Sequence, residues 1–274
     1  MTDVLREWKD SDSRKALCIC GAREVGKSTV VREFAKENYE VFVEVDFTVS
    51  RQNCEIFSKA KSPDEIFLSI EAISPSALIP HKTLILLAEI QECPEARTAI
   101  KYLVQDGRFD YIETGSLLCV KIDQVRSCPA GFERVVEMYP LDFEEFMWAM
   151  DIPDSTFTTL KVCYKNKKPV EAHLHKQLLD LFHTYLAVGG MPEAVADYVQ
   201  NRSLSSVQTI QERIVNSYRL DLMKYTSIAE RIKIQNIFES VSVQLNEKSP
   251  RFFMTKVYPK ARMNLYESSL DWTG

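Results

Sequence analysis

A glycine-rich segment near the start of the chain restricts its fold more than any other feature. The segment has the spacing G-x-x-x-x-G-K-S and extends from Gly21 to Ser28. A short apolar run, residues 16–20, precedes it, and residues 28–36 follow it with apolar side chains at helical spacing. A strand, a glycine-rich turn and a helix in this order direct backbone N–H groups and the positive end of the helix toward one point. The segment is therefore predicted to hold the phosphates of a nucleotide, and we expect ATP.

Each residue type of the segment suits this chemistry. Gly21 and Gly26 permit backbone angles and a close approach that a Cβ would block. Lys27 is expected to reach the β- and γ-phosphates, and the Ser28 hydroxyl is expected to bind Mg²⁺. The predicted nucleotide contacts are the segment and the residue after it: Gly21, Ala22, Arg23, Glu24, Val25, Gly26, Lys27, Ser28 and Thr29.

Apolar strands alternate with helical patterns over the first half of the chain. The predicted strands cover residues 16–20, 39–47, 83–88, 109–114 and 135–139. This alternation predicts an α/β fold, with a parallel sheet and helices on both faces. After Pro140 the pattern becomes mainly helical. We therefore expect a nucleotide-binding domain over residues 1–145 and a mainly α-helical domain over residues 146–274.

A second functional position is expected where the third predicted strand ends. Many P-loop ATPases use an acidic pair there, in which an Asp holds the Mg²⁺ shell and the next residue, a Glu, polarises the attacking water. Glu89 fits the role of the catalytic base, and the alternative is that it is a solvated charge after a strand. Ala88 stands at the position where the Asp is expected. Alanine supplies no oxygen to the metal, so the sequence predicts ATP binding with weak hydrolysis. Asp46, at the end of the second predicted strand, is the alternative source of a carboxylate.

Three further polar residues are candidates near the predicted pocket. Ser116 follows the fourth predicted strand, where it would sense the γ-phosphate or orient water, or else cap a turn. Arg126 and Arg134 are candidate arginine fingers if the chain forms a homo-oligomer, and surface arginines otherwise.

A helical segment contains His173, His175 and His183, but no cysteine or carboxylate completes a metal-binding set there, so we expect no metal site. The nearby acidic residues Asp142, Glu144 and Glu145 fit the first turn of a helix.

Composition excludes several classes of protein. The net charge of −5 argues against a dedicated nucleic-acid-binding protein, because neutralising phosphates requires clustered Lys and Arg. The seven cysteines are scattered without a C-x-x-C spacing, so we expect all of them to be reduced. The sequence contains no signal peptide and no apolar run of the roughly 18 residues that a membrane helix needs. It therefore predicts a soluble, cytoplasmic protein that does not contact membranes.

Six segments resemble, in order, the motifs of a prokaryotic AAA-type ATPase family that has a C-terminal helical domain of unknown function. They are GAREVGKST, LILLAEIQECP, YIETGS, YPLDFEEF, YLAVGGMPEA and YRLD, and the second carries Ala88 where the family has Asp. The resemblance implies an ATP-binding core with Mg²⁺, the helical domain, and a winged-helix and nuclease-like tail. Residues 261–272 look like the first helix of a winged-helix unit, so the chain, which stops at Gly274, is expected to be a truncated product.

Three functions are consistent with these residues. The first is an AAA-type ATP-binding protein with weak hydrolysis. The second is a competent ATPase that acts as a molecular switch or motor, with Asp46 or another carboxylate replacing the lost ligand. The third is a DNA- or protein-binding adaptor whose nucleotide site is only structural.

Overall fold

The structure is a computed structural model that describes residues 1–11, 15–60, 62–116, 131–225, 228–247, 251–258 and 262–270. The chain divides into two compact units, Met1–Arg202 and Ser203–Gly274. The first unit contains the sheet and also the helices that follow it as far as Asn201. A separate domain that begins at residue 146 stays a prediction.

The first unit is built on a five-stranded sheet with the order β2-β3-β4-β1-β5. Its strands are β1 (Ala16–Cys20), β2 (Val41–Asp46), β3 (Thr83–Ala88), β4 (Asp110–Gly115) and β5 (Glu133–Glu137). All four strand pairs are parallel. The carboxyl ends of the strands therefore meet at one edge of the sheet, where ligands bind in open α/β folds. The predicted α/β fold is confirmed.

Helices cover both faces of this sheet. They are α1 (Thr2–Asp10), α2 (Lys27–Asn38), α3 (Arg51–Ser58), α4 (Pro63–Ile73) and α5 (Pro94–Asp106), with a 3₁₀ turn at Ile90–Glu92. Four further helices follow β5 in the chain, namely α6 (Phe143–Ala149), α7 (Asp154–Lys165), α8 (Ala172–Val188) and α9 (Pro192–Asn201). The side chains of β1 alternate between the faces: Leu17 and Ile19 pack with α1 and α2, whereas Cys18 and Cys20 pack with α3 to α5. Because β1 and β3 are buried along their whole length, they appear in the sequence as continuous apolar runs.

The second unit is helical in its described residues. It contains α10 (Leu204–Tyr225), α11 (Ile228–Leu245), α12 (Met254–Val257) and α13 (Met263–Leu270). Ile237 and Tyr266 form a small core there, and Met254 and Val257 pack against it.

The described cysteines support the expectation of reduced thiols. Five cysteines form no disulfide, namely Cys18, Cys20, Cys54, Cys93 and Cys163, and the other two, Cys119 and Cys128, lie outside the described residues. No helix in the described part of the chain has the length and apolar character needed to cross a membrane.

Candidate functional site

The glycine-rich loop lies between the carboxyl end of β1 and the start of α2, as the sequence predicts. Gly21 has a φ of 146°, and a Cβ there would overlap the carbonyl oxygen of Met138. Gly26 has a φ of 92° and forms the N-cap of α2. Both positions therefore require glycine, the first for a close approach and the second for its left-handed backbone.

Lys27 is the buried charge at the centre of the loop. Its side chain lies inside the loop with only 5% of the residue exposed. Nζ donates hydrogen bonds to the carbonyl oxygens of Gly21, at 3.0 Å, and Ala22, at 2.8 Å. Burial lowers the pKa of this amine, and the nearby Glu89 carboxylate opposes that shift. The loop thus holds an ammonium group by its own carbonyls, at a place where phosphate oxygens would be stronger partners.

The remaining loop residues differ in exposure. Val25 is fully buried and anchors the loop, whereas Ser28 is half-buried in the first turn of α2. Ala22, Arg23 and Glu24 are also half-buried. Thr29 is exposed.

Glu89 and Ser116, which are 27 residues apart in the sequence, are in direct contact. The Ser116 hydroxyl donates to Oε2 of Glu89 at 2.7 Å, and Nε2 of Gln91 donates to the same oxygen at 2.7 Å. Glu89 itself has a left-handed backbone, with a φ of 55°, which is unfavourable for a non-glycine residue. The end of β3 therefore directs a carboxylate toward the end of β4. Gln91 was not predicted as a site residue, because the sequence indicates it only by its position two residues after Glu89.

Ala88 lies in a row of side chains that crosses the carboxyl end of the sheet. It is the register partner of Asp46 on β2 and of Thr114 on β4. Ala88 packs on the face that α2 covers. The buried Thr114 hydroxyl has no hydrogen-bond partner among the described residues. This row therefore has a polar group on each side and a methyl group in the middle.

Asp46 is engaged by the turn that follows β2. Its Oδ1 accepts from the backbone N–H of Thr48, at 2.7 Å, and from the Thr48 hydroxyl, at 2.6 Å. A metal ion that bound Oδ1 would compete with these hydrogen bonds.

A buried ionic network supports β4 from the opposite face of the sheet. Arg97 on α5 forms ion pairs with Glu113 on β4 and with Glu133 on β5. Burial raises the pKa of Glu113 to about 7, and Glu133 adds to that shift while Arg97 opposes it. One guanidinium faces two carboxylates there, so the buried Glu113 takes up a proton more readily than an exposed glutamate does. The network was not predicted from the sequence.

The two candidate arginine fingers stay predictions, because they would act on the nucleotide of a neighbouring chain. Arg134 lies on the exposed edge strand β5, with its guanidinium 3.5 Å from the Glu7 carboxylate. Arg126 lies outside the described residues. Asp142 and Glu145 form a capping box at the start of α6, as the pattern of a helix start indicates.

The three histidines lie exposed on α8. In the described part of the chain, the one cluster with metal-ligand character is formed by Cys18, Glu113 and Glu133. The Arg97 guanidinium already pairs with both carboxylates of that cluster.

A parallel sheet with a glycine-rich loop between β1 and α2, and a lysine at the start of that helix, defines a P-loop nucleotide-binding fold. Residues 13–147 match the family described as AAA domain. Residues 179–272 match a domain of unknown function, DUF8612. The chain thus contains an AAA-type P-loop domain over residues 13–147 and a C-terminal domain of unknown function, which confirms the resemblance seen in the sequence.

Solved structures with a similar fold include the Walker-type ATPase paby2304 of Pyrococcus abyssi. The two chains are 14% identical with a TM-score of 0.50, and the alignment covers 99% of this chain and 87% of that one. PCH-2 of C. elegans aligns with 10% identity and a TM-score of 0.37, over 79% of this chain and 66% of that one. None of the curated proteins matches the sequence.

Proposed function

We propose that this protein binds ATP through residues 21–29 and hydrolyses it slowly. The observation that carries the proposal is the loop itself, in which a buried Lys27 ammonium lies among backbone groups at the end of β1. The two required glycines let the loop pass close to Met138 and turn into α2, so that its backbone groups form a cradle around the Lys27 ammonium. A nucleotide phosphate fits this cradle by charge and by hydrogen-bonding capacity.

The residues present fit the nucleotide better than they fit the metal that usually accompanies it. Ser28 retains the hydroxyl that would bind Mg²⁺, but Ala88 offers no oxygen and Asp46 is engaged by Thr48. Glu89 is an acid placed to act as a base, and Ser116 and Gln91 orient its carboxylate. Slow turnover follows because a base without a well-held metal leaves the developing charge of the transition state poorly stabilised.

The binding site is tested by replacing its central charge. Lys27→Ala should weaken ATP binding more than about tenfold, since hydrogen bonds to charged groups contribute about 1.5–3 kcal/mol. The measurement is a titration with a fluorescent ATP analogue, followed by competition with ATP. The control is Lys36→Ala, because Lys36 lies on the same helix but is exposed and pairs with Glu33. Unchanged affinity in Lys27→Ala would refute the assignment of the site.

A competent ATPase that works as a molecular switch or motor is the second candidate. It is favoured by the position of Asp46, which is the register partner of Ala88 and carries a carboxylate. Asp46→Asn keeps an oxygen that can accept from Thr48 but removes the charge. If Asp46 replaces the missing ligand, this variant should lose most ATP turnover and retain ATP binding. Equal turnover in the variant and the unaltered protein would eliminate Asp46 as the replacement ligand.

The homo-oligomer, the cytoplasmic location and a protein or nucleic-acid partner stay predictions of the sequence. The adaptor function belongs with them, and it would require a partner whose binding does not depend on ATP turnover.

A further inference from the structure

A short segment after β5, residues 138–141, contacts the first part of the glycine-rich loop. This loop, residues 21–28, is here called the phosphate loop. The backbone N–H of Met138 donates to the carbonyl oxygen of Cys20 at 2.8 Å. The Met138 carbonyl lies so close to Gly21 that it excludes any side chain there. Residues 138–141, here called the strap, therefore lie against the point where the chain leaves β1 and enters the loop.

The other end of the strap is fixed to the turn between α8 and α9. The backbone N–H of Leu141 donates to the carbonyl oxygen of Gly190 at 2.8 Å. A Cβ at Gly190 would overlap the Leu141 carbonyl oxygen. That same oxygen accepts a hydrogen bond from the Tyr185 hydroxyl at 2.9 Å. The glycine at position 190 thus permits a backbone-to-backbone contact that no other residue type allows.

The turn also lies beside the phosphate loop. Pro192 is the first residue of α9, and its Cγ lies 3.7 Å from the position that a Cβ on Gly26 would take. The Met138 methyl group lies at the same distance, 3.7 Å, from that position. Gly26 is the residue whose left-handed backbone starts α2 and so precedes Lys27. Two apolar groups, one from the strap and one from α9, therefore confine the loop where it turns into α2.

On the side away from the loop, this arrangement packs against α6 and the interior of the first unit. The Tyr185 ring packs against Phe143 and Phe146, with ring centroids 5.6 Å and 5.4 Å apart. Ala194 and Val195 are buried in the first turn of α9. A displacement of the phosphate loop would therefore be transmitted to the start of α9, because packed side chains resist continuous deformation.

We propose that the α8–α9 turn, through Gly190 and Pro192, positions the phosphate loop for nucleotide and is itself ordered when a nucleotide binds. Pro192 and Gly190 are positioning residues in this proposal. The proposal rests on the proposed ATP site. It adds that a part of the chain more than 160 residues beyond the phosphate loop helps to set the affinity of the loop for ATP. Coupling is reciprocal, so a change that loosens the turn must weaken ATP binding, and ATP must in turn order the turn.

The test measures ATP affinity and backbone hydrogen exchange in the full chain. Pro192→Ala removes the ring that faces Gly26 but keeps a residue of high helix propensity, and Gly190→Ala displaces the turn from the strap. Both variants should bind ATP about fivefold more weakly or worse.

Matched controls are Pro63→Ala, at the first turn of α4, and Tyr164→Phe, at an exposed position on α7, and both should bind like the unaltered chain. Tyr185→Phe removes only the hydrogen bond to Leu141, so it serves if Gly190→Ala fails to fold.

Backbone hydrogen exchange distinguishes this proposal from a role of Pro192 and Gly190 in stability alone, because only the proposal expects ATP to change the exchange rates. Addition of ATP should slow exchange of the amides of residues 193–195 in the unaltered chain, and Pro192→Ala should reduce that protection. If Pro192→Ala, Gly190→Ala and Tyr185→Phe all bind ATP like the controls, or if ATP leaves exchange at residues 193–195 unchanged, the proposal is wrong while the ATP site stands. If the unaltered chain binds no ATP, both proposals are wrong.

Discussion

Ala88 places a methyl group where the proposed ATP site would need a carboxylate to hold its metal ion. The residue lies between Asp46 and Thr114 across the end of the sheet, on the face that α2 covers. A carboxylate at this position would lie about 5 Å, one strand spacing, from each neighbour. The Thr114 hydroxyl, which lacks a hydrogen-bond partner within the described residues, would then have an acceptor beside it.

Ala88→Asp should therefore raise ATP turnover at least about tenfold, because a metal-holding carboxylate contributes more than 1.4 kcal/mol to transition-state stabilisation. The measurement is phosphate release at saturating ATP and Mg²⁺. Ala88→Asn is the control, since it has a similar shape and no charge. Equal rates in the Asp and Asn variants would show that this position does not hold the metal.

At the scale of single elements, β4 carries groups of opposite character on its two faces. Thr114 faces the side that α2 covers, whereas Glu113 faces α5 and pairs with Arg97. The ionic network therefore holds the strand whose end presents Ser116 to Glu89.

The network should make stability depend on pH in a defined window. Folding raises the pKa of Glu113 from its ordinary value of 4.5 to about 7. The folded chain thus binds an extra proton between these values, and the stabilisation is complete below pH 4.5 and is lost as pH rises through about 7. At about 1.4 kcal/mol per pKa unit, the free energy of unfolding should fall by about 3 kcal/mol across this window.

Urea denaturation between pH 4.5 and 7.5 would measure this slope. Glu113→Gln should flatten it, whereas Glu137→Gln, at an exposed position of β5, should not. The prediction fails if both variants keep the slope of the unaltered protein.

Elements were predictable from the sequence to the extent that their signals are local. The buried strand β3 stands out as a continuous apolar run, and the phosphate loop has a fixed spacing, so both were predicted with their residues. The helices α3 and α7 were not predicted, because α3 is short and polar and α7 is rich in β-branched residues, which have low helix propensity. The ionic network and the approach of Pro192 to Gly26 join residues that are distant in the sequence. They were not predicted because no local pattern in the sequence indicates such long-range neighbours.

At the scale of the whole molecule, the distribution of charge decides between the remaining functions. The chain has 34 basic and 39 acidic residues. Many basic side chains pair with carboxylates, including Arg32 with Glu44, Lys59 with Glu55 and Lys82 with Glu40. Binding to DNA depends on unpaired Lys and Arg that displace counterions from phosphates, so this composition favours nucleotide binding over a DNA-binding adaptor.

The expected outcome is that the chain binds a 20-base-pair duplex no more tightly than about 10⁻⁴ M at physiological salt, the weak limit of non-specific binding. Fluorescence anisotropy of a labelled duplex, measured at about 50 mM and about 200 mM salt with and without ATP, provides the test. Micromolar affinity that falls by about a thousandfold between those salt concentrations would reveal six or more phosphate contacts and would favour the adaptor. Loss of that affinity in Lys27→Ala would place the DNA phosphates in the loop, whereas its retention would place them on a separate basic surface. The same titration therefore distinguishes a nucleotide site that also accepts polynucleotide from a chain that has two phosphate-binding surfaces.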